Sequence, residues 1–336
     1  MPFTGSKPTA PEQTFGEFAW HWFEASKLEW RPKTQLDYSW QLRCHLVPFF
    51  GQHTLSQITI AEVDRYRHSL LATGKLSASS INKTITRLAQ ILEVALEYGL
   101  IERNPARGRR RKLRAARPPA IWLDRAEQIE ALLSAAAELD RRAAEHGGRE
   151  HRGGPVYRRA LLSTLVLAGL RMGELIELRW RDLDFAGERI AVQAAKTDAG
   201  IRHVEMLPAL RAELEGRRAR RADAGPEDFV FASARGSPAI HGNIRRRAFD
   251  PAVQLANRNL VQAGEVPLPQ GLTPHKLRHT FASILIAIGV DSGSVMEQLG
   301  HADPGFTLRV YRHGMRRDEA SRGRLARLVG VGSRGR

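Results

Sequence analysis

From residue 14 to residue 106 the apolar positions recur at helical spacing, and no alternating strand pattern interrupts them. Thr14-Phe15-Gly16-Glu17 has the form of a capping box, in which a hydroxyl and a carboxylate each satisfy a backbone N–H at a helix start. Thr59-Ile60-Ala61-Glu62 repeats it and opens a helix with Ile60, Val63 and Leu70 near one face. Ser80 opens another, with Ile81, Ile85, Leu88, Leu92 and Leu96 at helical spacing. A further helix is expected from Thr34 to about Leu46, before Pro48 and Gly51. These stripes read as core, not as a ligand site.

Residues 121–329 read as mixed but mainly helical. A helix is expected near Asp124, a polar loop from Glu145 to Pro155, and a strongly apolar helix from Ala160 to Ala168 that ends at Gly169. Ile190 and Val192 alternate with polar or small residues, and Arg202, Val204 and Met206 alternate with His203 and Glu205. Thr197-Asp198-Ala199-Gly200 supplies a turn between them, which makes a β-hairpin. Helices resume at Pro208, a residue suited to a first helical turn. Between the two regions, residues 107–120 read as a basic interdomain linker. Arg107 to Arg117 holds seven basic residues in eleven and no acid, with Pro105 before it and Pro118-Pro119 after it. Residues 1–13 read as a flexible amino-terminal segment and 330–336 as a disordered tail. The expected fold class is mainly α with a small β-sheet, in two domains.

Composition sharpens this. A length of 336 residues suits about two domains, and 42% hydrophobic content supports ordinary cores. No apolar run approaches the ~18 residues of a membrane span, and the amino terminus lacks a secretory signal, so a cytoplasmic protein is expected. Cys44 is the single cysteine, which excludes an internal disulfide and a cysteine zinc site. Lys and Arg total 52 against 36 acids, a net charge of +16 that favours polyanions, duplex DNA first among them. Only eight of the 52 are lysine, a bias that codon usage also produces. In the linker, Arg107, Arg109, Arg110, Arg111, Lys112 and Arg114 are the expected DNA contacts, as a cationic strap along the phosphate backbone.

Candidate chemistry lies in five short segments. Gly169-Leu170-Arg171-Met172-Gly173-Glu174 sets an arginine between two glycines, which permits a tight turn between helices. Lys196 ends the first hairpin strand. His275-Lys276-Leu277-Arg278-His279 puts His275 and Arg278 on one helical face. Leu299-Gly300-His301 follows, and Tyr311 lies ten residues beyond His301. Each segment alone has an ordinary structural reading: a surface ion pair, a solvated lysine, a capping histidine, a half-buried phenol.

Together and in this order they resemble the tyrosine recombinase, or phage integrase, family. Its pattern runs arginine in a Gly-Leu-Arg-x-Gly-Glu turn, hairpin lysine, His-x-x-Arg, Leu-Gly-His, then tyrosine. The resemblance covers about 121–325, and the helical region 14–106 is similar to the family's core-binding domain. It implies a C-shaped clamp on DNA. It implies that Arg171 and Arg278 clamp the scissile phosphate, with His275 and His301 completing the site. Lys196 would act as general acid to the leaving 5′ oxygen, and Tyr311 would form the 3′-phosphotyrosine bond. Glu174 and His279 take supporting roles, Glu174 as an orienter of Arg171 or nearby backbone. The resemblance also implies a tetramer on two DNA sites.

The residue types suit that chemistry. Attack on a phosphodiester builds charge on the non-bridging oxygens, and fixed donors aimed there lower the barrier. Arginine bonds two oxygens and stays charged, whereas a general acid must lose a proton, which lysine can do. A phenol with a pKa of about 10 needs neighbouring cations or a base to become a nucleophile. A phosphotyrosine conserves the energy of the broken diester, so neither ATP nor a metal is expected. No P-loop is present, and Asp182 and Asp184 have no matching carboxylate cluster.

Three alternatives stay open on the sequence: a type IB topoisomerase, a chromosome-dimer resolvase, and a catalytically silent DNA-binding regulator. The polar loop near 145–155 and the length of 255–271 lean toward a mobile-element integrase. With about 13 residues before the helical region, no separate arm-binding domain is expected, and an accessory directionality factor remains an open partner. The resemblance also suggests that the segment from Arg317 to Val329, anchored by Leu325 and Leu328, docks on a neighbouring protomer, with packing on its own chain the equal alternative.

Overall fold

Helix α1, Phe15–Ser26, starts where Thr14 and Glu17 cap one another. Thr14 Oγ1 accepts from Glu17 N at 3.3 Å, and Glu17 Oε2 accepts from Thr14 N at 3.1 Å. The computed structural model describes residues 13–115, 121–145, 157–193, 201–233, 236–300 and 319–331. The chain divides into two units, Met1–Pro119 and Ala120–Arg336.

In the first unit, α2 (Pro32–Gln41) runs through a π-helical turn, Leu42–Leu46, into α3 (Val47–Phe50). The expected Thr34–Leu46 helix is therefore longer at both ends. Proline clashes with the carbonyl four residues earlier in a regular α-helix. The widened turn lies just before Pro48, and the Val47 N–H bonds back to the Leu42 carbonyl. Thr59 caps α4 (Ile60–Thr73) as expected. Helix α5 spans Ala78–Glu97 and is capped by Ser77, which accepts from Ser80 N at 3.1 Å, so Ser80 lies inside the helix it was expected to open. Ile81, Ile85, Leu88, Ile91 and Leu92 are fully buried, while Leu96 is only partly so. Leu88, Ile91 and Leu92 share a core with Phe15, Phe18, Leu46 and Phe50, and each such side chain contributes about 1.5–3 kcal/mol relative to exposure.

The start of the basic linker is folded onto this unit rather than extended. Arg109–Arg111 forms a 3-10 turn. Arg67 donates to the Arg110 carbonyl at 2.8 Å. Asn82 grips Leu113 twice, donating to its carbonyl at 2.9 Å and accepting from its N–H at 2.7 Å.

In the second unit, α6 (Ala126–Glu145) packs beside α7 (Arg158–Leu167). Helix α7 is buried almost all round, as its run of Leu161, Leu162, Leu165, Val166 and Leu167 requires. A short helix α8 (Met172–Glu177) leads to an antiparallel sheet, β1 (Leu183–Asp184), β2 (Arg189–Val192) and β3 (Arg202–Glu205), in that order. The hairpin has the expected strands, with Ile190 opposite Val204 and Val192 opposite Arg202. Strand β1 is an addition, too short for periodicity to reveal. Then come α9 (Pro208–Ala219), α10 (His241–Ile244), α11 (Asp250–Gln262), α12 (Pro274–Ala287), α13 (Ser292–Leu299) and α14 (Glu319–Leu328). Helix α11 takes up the first half of 255–271.

Helix α14 docks in cis beside α6 and α12. Leu325 and Val329 are buried in the core of the unit, Leu328 packs against it, and Ala209 N donates to the Val329 carbonyl at 3.2 Å. Among the described residues, no helix is long and apolar enough to cross a membrane.

Candidate active site

The site grows from the turn between α7 and α8. Gly169 has φ +57°, and a Cβ there would lie 2.5 Å from Phe281 Cδ1, so only glycine suits both the backbone and the approach of α12. Gly173, the other glycine of the turn, has open space around it and no such demand.

Arg171 is the N-cap of α8, and its N–H donates to Glu174 Oε2 at 2.7 Å. Its guanidinium bridges two elements. Nη1 donates to Glu174 Oε1 at 2.7 Å, and Nη2 donates to the Gly300 carbonyl at 2.7 Å. Glu174 therefore holds both the backbone and the guanidinium of Arg171. Gly300 caps α13 in the left-handed conformation, φ +56°, which turns its carbonyl into reach.

Arg278 projects from the first turns of α12 and is 1% exposed. Its Nη1 donates to the Gly169 carbonyl at 2.6 Å. Burial pushes its pKa down to about 9, with repulsion from Arg171 and Arg202 adding to the shift and Glu174 opposing it. His275 stands one turn earlier on the same helix, exposed, with its ring centroid 5.6 Å from that of His279. Its pKa is lowered, by partial loss of hydration first and then by Arg278, Lys276 and Arg171.

One residue of the site escaped the sequence. Arg202 on β3 is buried and forks onto Glu174, Nη1 to Oε1 at 3.0 Å and Nη2 to Oε2 at 2.8 Å. Its Nε donates to the Gln298 carbonyl at 2.6 Å. Burial alone would raise the Glu174 pKa; the bonds from Arg202 and Arg171 outweigh it and hold the pKa at about 2. The signal was present, since Arg202 shares the alternation of Val204 and Met206 and so occupies an inward position where an apolar residue belongs.

The structure thus unites Arg171, Glu174, His275, Arg278 and His279. Lys196, between β2 and β3, and His301 and Tyr311, beyond Gly300, lie outside the described residues. Among the described residues, two guanidinium groups, Arg171 and Arg202, bond one buried carboxylate and a third, Arg278, lies near enough to feel all three charges, an arrangement that attracts an anion.

Two of the expected linker contacts are engaged by acids of their own unit. Arg111 pairs with Asp64 at 2.6 Å and Arg107 with Glu93 at 2.8 Å. Arg110, Lys112 and Arg114 are exposed. Of Arg109 only the backbone is described.

Comparison with known proteins agrees with this geometry. The phage integrase family matches residues 125–317, and the phage integrase N-terminal SAM-like domain matches residues 14–71. The chain is 26% identical over 341 residues to the putative prophage phiRv2 integrase of Mycobacterium tuberculosis, covering 96% of this chain and 80% of that protein. It is 32% identical over 239 residues to the tyrosine recombinase XerC of Stutzerimonas stutzeri, covering 70% of each. Among solved structures, the Tn1549 transposon integrase in complex with a circular intermediate DNA has a TM-score of 0.70 at 20% identity, over 89% of this chain and 94% of that one. A lambda integrase tetramer bound to a Holliday junction has a TM-score of 0.68 at 18% identity, over 92% and 80% respectively. The chain belongs to the phage integrase family of tyrosine recombinases.

Proposed function

We propose that this enzyme is a site-specific recombinase that integrates or excises a mobile element, cutting and rejoining duplex DNA through a covalent bond to Tyr311. The observation that carries it is the pairing of Arg171 with Arg278 around the Gly169 turn, in a cluster with more guanidinium than carboxylate charge. A scissile phosphate supplies the negative charge that this cluster attracts.

In the proposed reaction the Tyr311 phenol gives its proton to solvent or a neighbouring base as its oxygen attacks phosphorus, and the bond from phosphorus to the 5′ oxygen breaks. Lys196 gives the leaving oxygen its proton. Arg171 and Arg278 hold the non-bridging oxygens, a role worth about 3 kcal/mol per well-placed donor in related chemistry. His275 and His301 complete the phosphate site. The 5′ hydroxyl of an exchanged strand then attacks the phosphotyrosine and releases Tyr311. Residues 14–106 serve as the core-site-binding domain and 121–329 as the catalytic domain. The proposal includes self-association to a tetramer on two sites, action in the cytoplasm, and an accessory directionality factor.

Sequencing the junctions formed in a cell that carries the gene and its flanking DNA identifies the sites. A nicked duplex bearing such a junction is then incubated with purified protein. A covalent adduct that is lost in Tyr311→Phe, with DNA binding kept, is the expected result. An adduct of equal yield in Tyr311→Phe sinks the assignment, and relaxation of supercoiled DNA without joining of two sites points to a topoisomerase.

A further inference from the structure

We propose that Arg202 is a positioning residue for cleavage: a buried guanidinium that fastens the β2–β3 hairpin, the Arg171 turn and the end of α13 into one register. The proposal rests on the recombinase reading above. Both Glu174 oxygens are shared between two arginines. Oε1 accepts from Arg171 Nη1 and Arg202 Nη1, and Oε2 accepts from the Arg171 N–H and Arg202 Nη2. Arg202 side-chain exposure is 3% and that of Glu174 is 6%, whereas Arg171 is 40% exposed. The outer arginine reaches the substrate side; the inner one holds the carboxylate that aims it.

The same guanidinium ties in α13. Arg202 Nε bonds the Gln298 carbonyl, Glu205 N donates to Gln298 Oε1 at 3.2 Å, and Arg171 Nη2 bonds the Gly300 carbonyl. Thus β3 and the Arg171 turn meet the last residues of α13 immediately before His301. The hairpin itself connects through Lys196. Three segments assigned to one phosphate are laced through one inward arginine that does not itself serve as a phosphate ligand. A buried carboxylate stripped of one of two cationic partners is costly, because charge in a poorly hydrated site needs compensation. Without Arg202, Glu174 takes up a proton more readily and its hold on Arg171 weakens.

The test uses the full chain and the nicked junction duplex described above. Arg202→Met should bind this duplex with near-normal affinity but form adduct about 10- to 100-fold more slowly, the scale of loss expected when a reacting geometry shifts by around an ångström. The acid limb of its cleavage rate should move to higher pH, because Glu174 then titrates closer to its ordinary range. Arg202→Lys should recover part of the rate. Adding Glu174→Gln to Arg202→Met should cost little more, since both act through one linkage. Adduct formation by Arg202→Met at the unsubstituted rate and pH profile overturns the proposal. So does a slower rate with no shift of the acid limb and no lysine rescue, which marks a merely structural residue. If Arg202→Met does not fold, Arg202→Lys decides alone: an unsubstituted rate and acid limb overturn the role. Absence of adduct with the unsubstituted chain instead refutes the recombinase reading itself.

Discussion

Arg278 donates a hydrogen bond from Nη1 to the carbonyl of Gly169, 2.6 Å away in space and 109 positions earlier in the chain. That bond places the arginine of α12 against the turn that carries Arg171. It works because Gly169 adopts a left-handed conformation with Phe281 packed where a Cβ would be.

Gly169→Ala should therefore damage both fold and site. A non-glycine residue held at positive φ costs about 1–3 kcal/mol before the collision with Phe281 is counted. Chemical denaturation should show a lower midpoint for the second unit, and adduct formation should fall further than the stability loss explains. An alanine variant with unchanged midpoint and rate would mean that the turn relaxes freely.

Arg278→Met should trade activity for stability. The folded pKa of about 9 lies below the ordinary 12.5, so the fold disfavours the charged form, and at neutral pH that cost is present in full. Replacing the cation with an apolar chain of similar length should leave the DNA-free protein as stable or more so. Adduct formation should fall about 10²- to 10³-fold, the usual loss for a transition-state donor. A large drop in stability would show that the Gly169 bond outweighs the repulsion.

His275 should make DNA binding depend on pH. Its pKa in the DNA-free protein is below 6.5, through partial loss of hydration and then the nearby cations. The sign follows: folding without DNA favours the neutral ring, so stability declines as pH falls below 6.5 toward the folded pKa. A phosphate seated between the arginines reverses the charge the ring faces and raises its pKa. Binding then takes up a proton, and affinity strengthens as pH falls through that window. Calorimetric titration in buffers of different ionisation heat counts the proton, and His275→Gln should abolish the uptake. Equal uptake in His275→Gln would assign it elsewhere.

The linker cations should differ in their share of DNA binding. Arg111 is 16% exposed and paired with Asp64, while Arg110 and Lys112 are exposed. Neutralising Arg110 or Lys112 should reduce the salt slope of binding by about 1 each. Arg111→Ala should change the slope less and instead loosen the 3-10 turn, seen as faster amide exchange at Leu113. Equal slopes for all three would mean that DNA displaces Asp64.

Local chemistry was written plainly in the sequence. Thr14 and Thr59 cap their helices because the groups they satisfy lie within three residues, and the stripe from Ile81 to Leu92 is buried because helical periodicity needs no distant partner. The order of Arg171, His275 and Arg278 named the family because those side chains are the site's own chemistry. Tertiary structure alone decided which charges meet. Glu174 is shared by Arg171 and by Arg202, 28 positions on; Arg111 takes Asp64; and Leu325 turns inward to its own chain. A charge chooses its partner by distance and by how much water remains between them, and neither exists until the chain has folded.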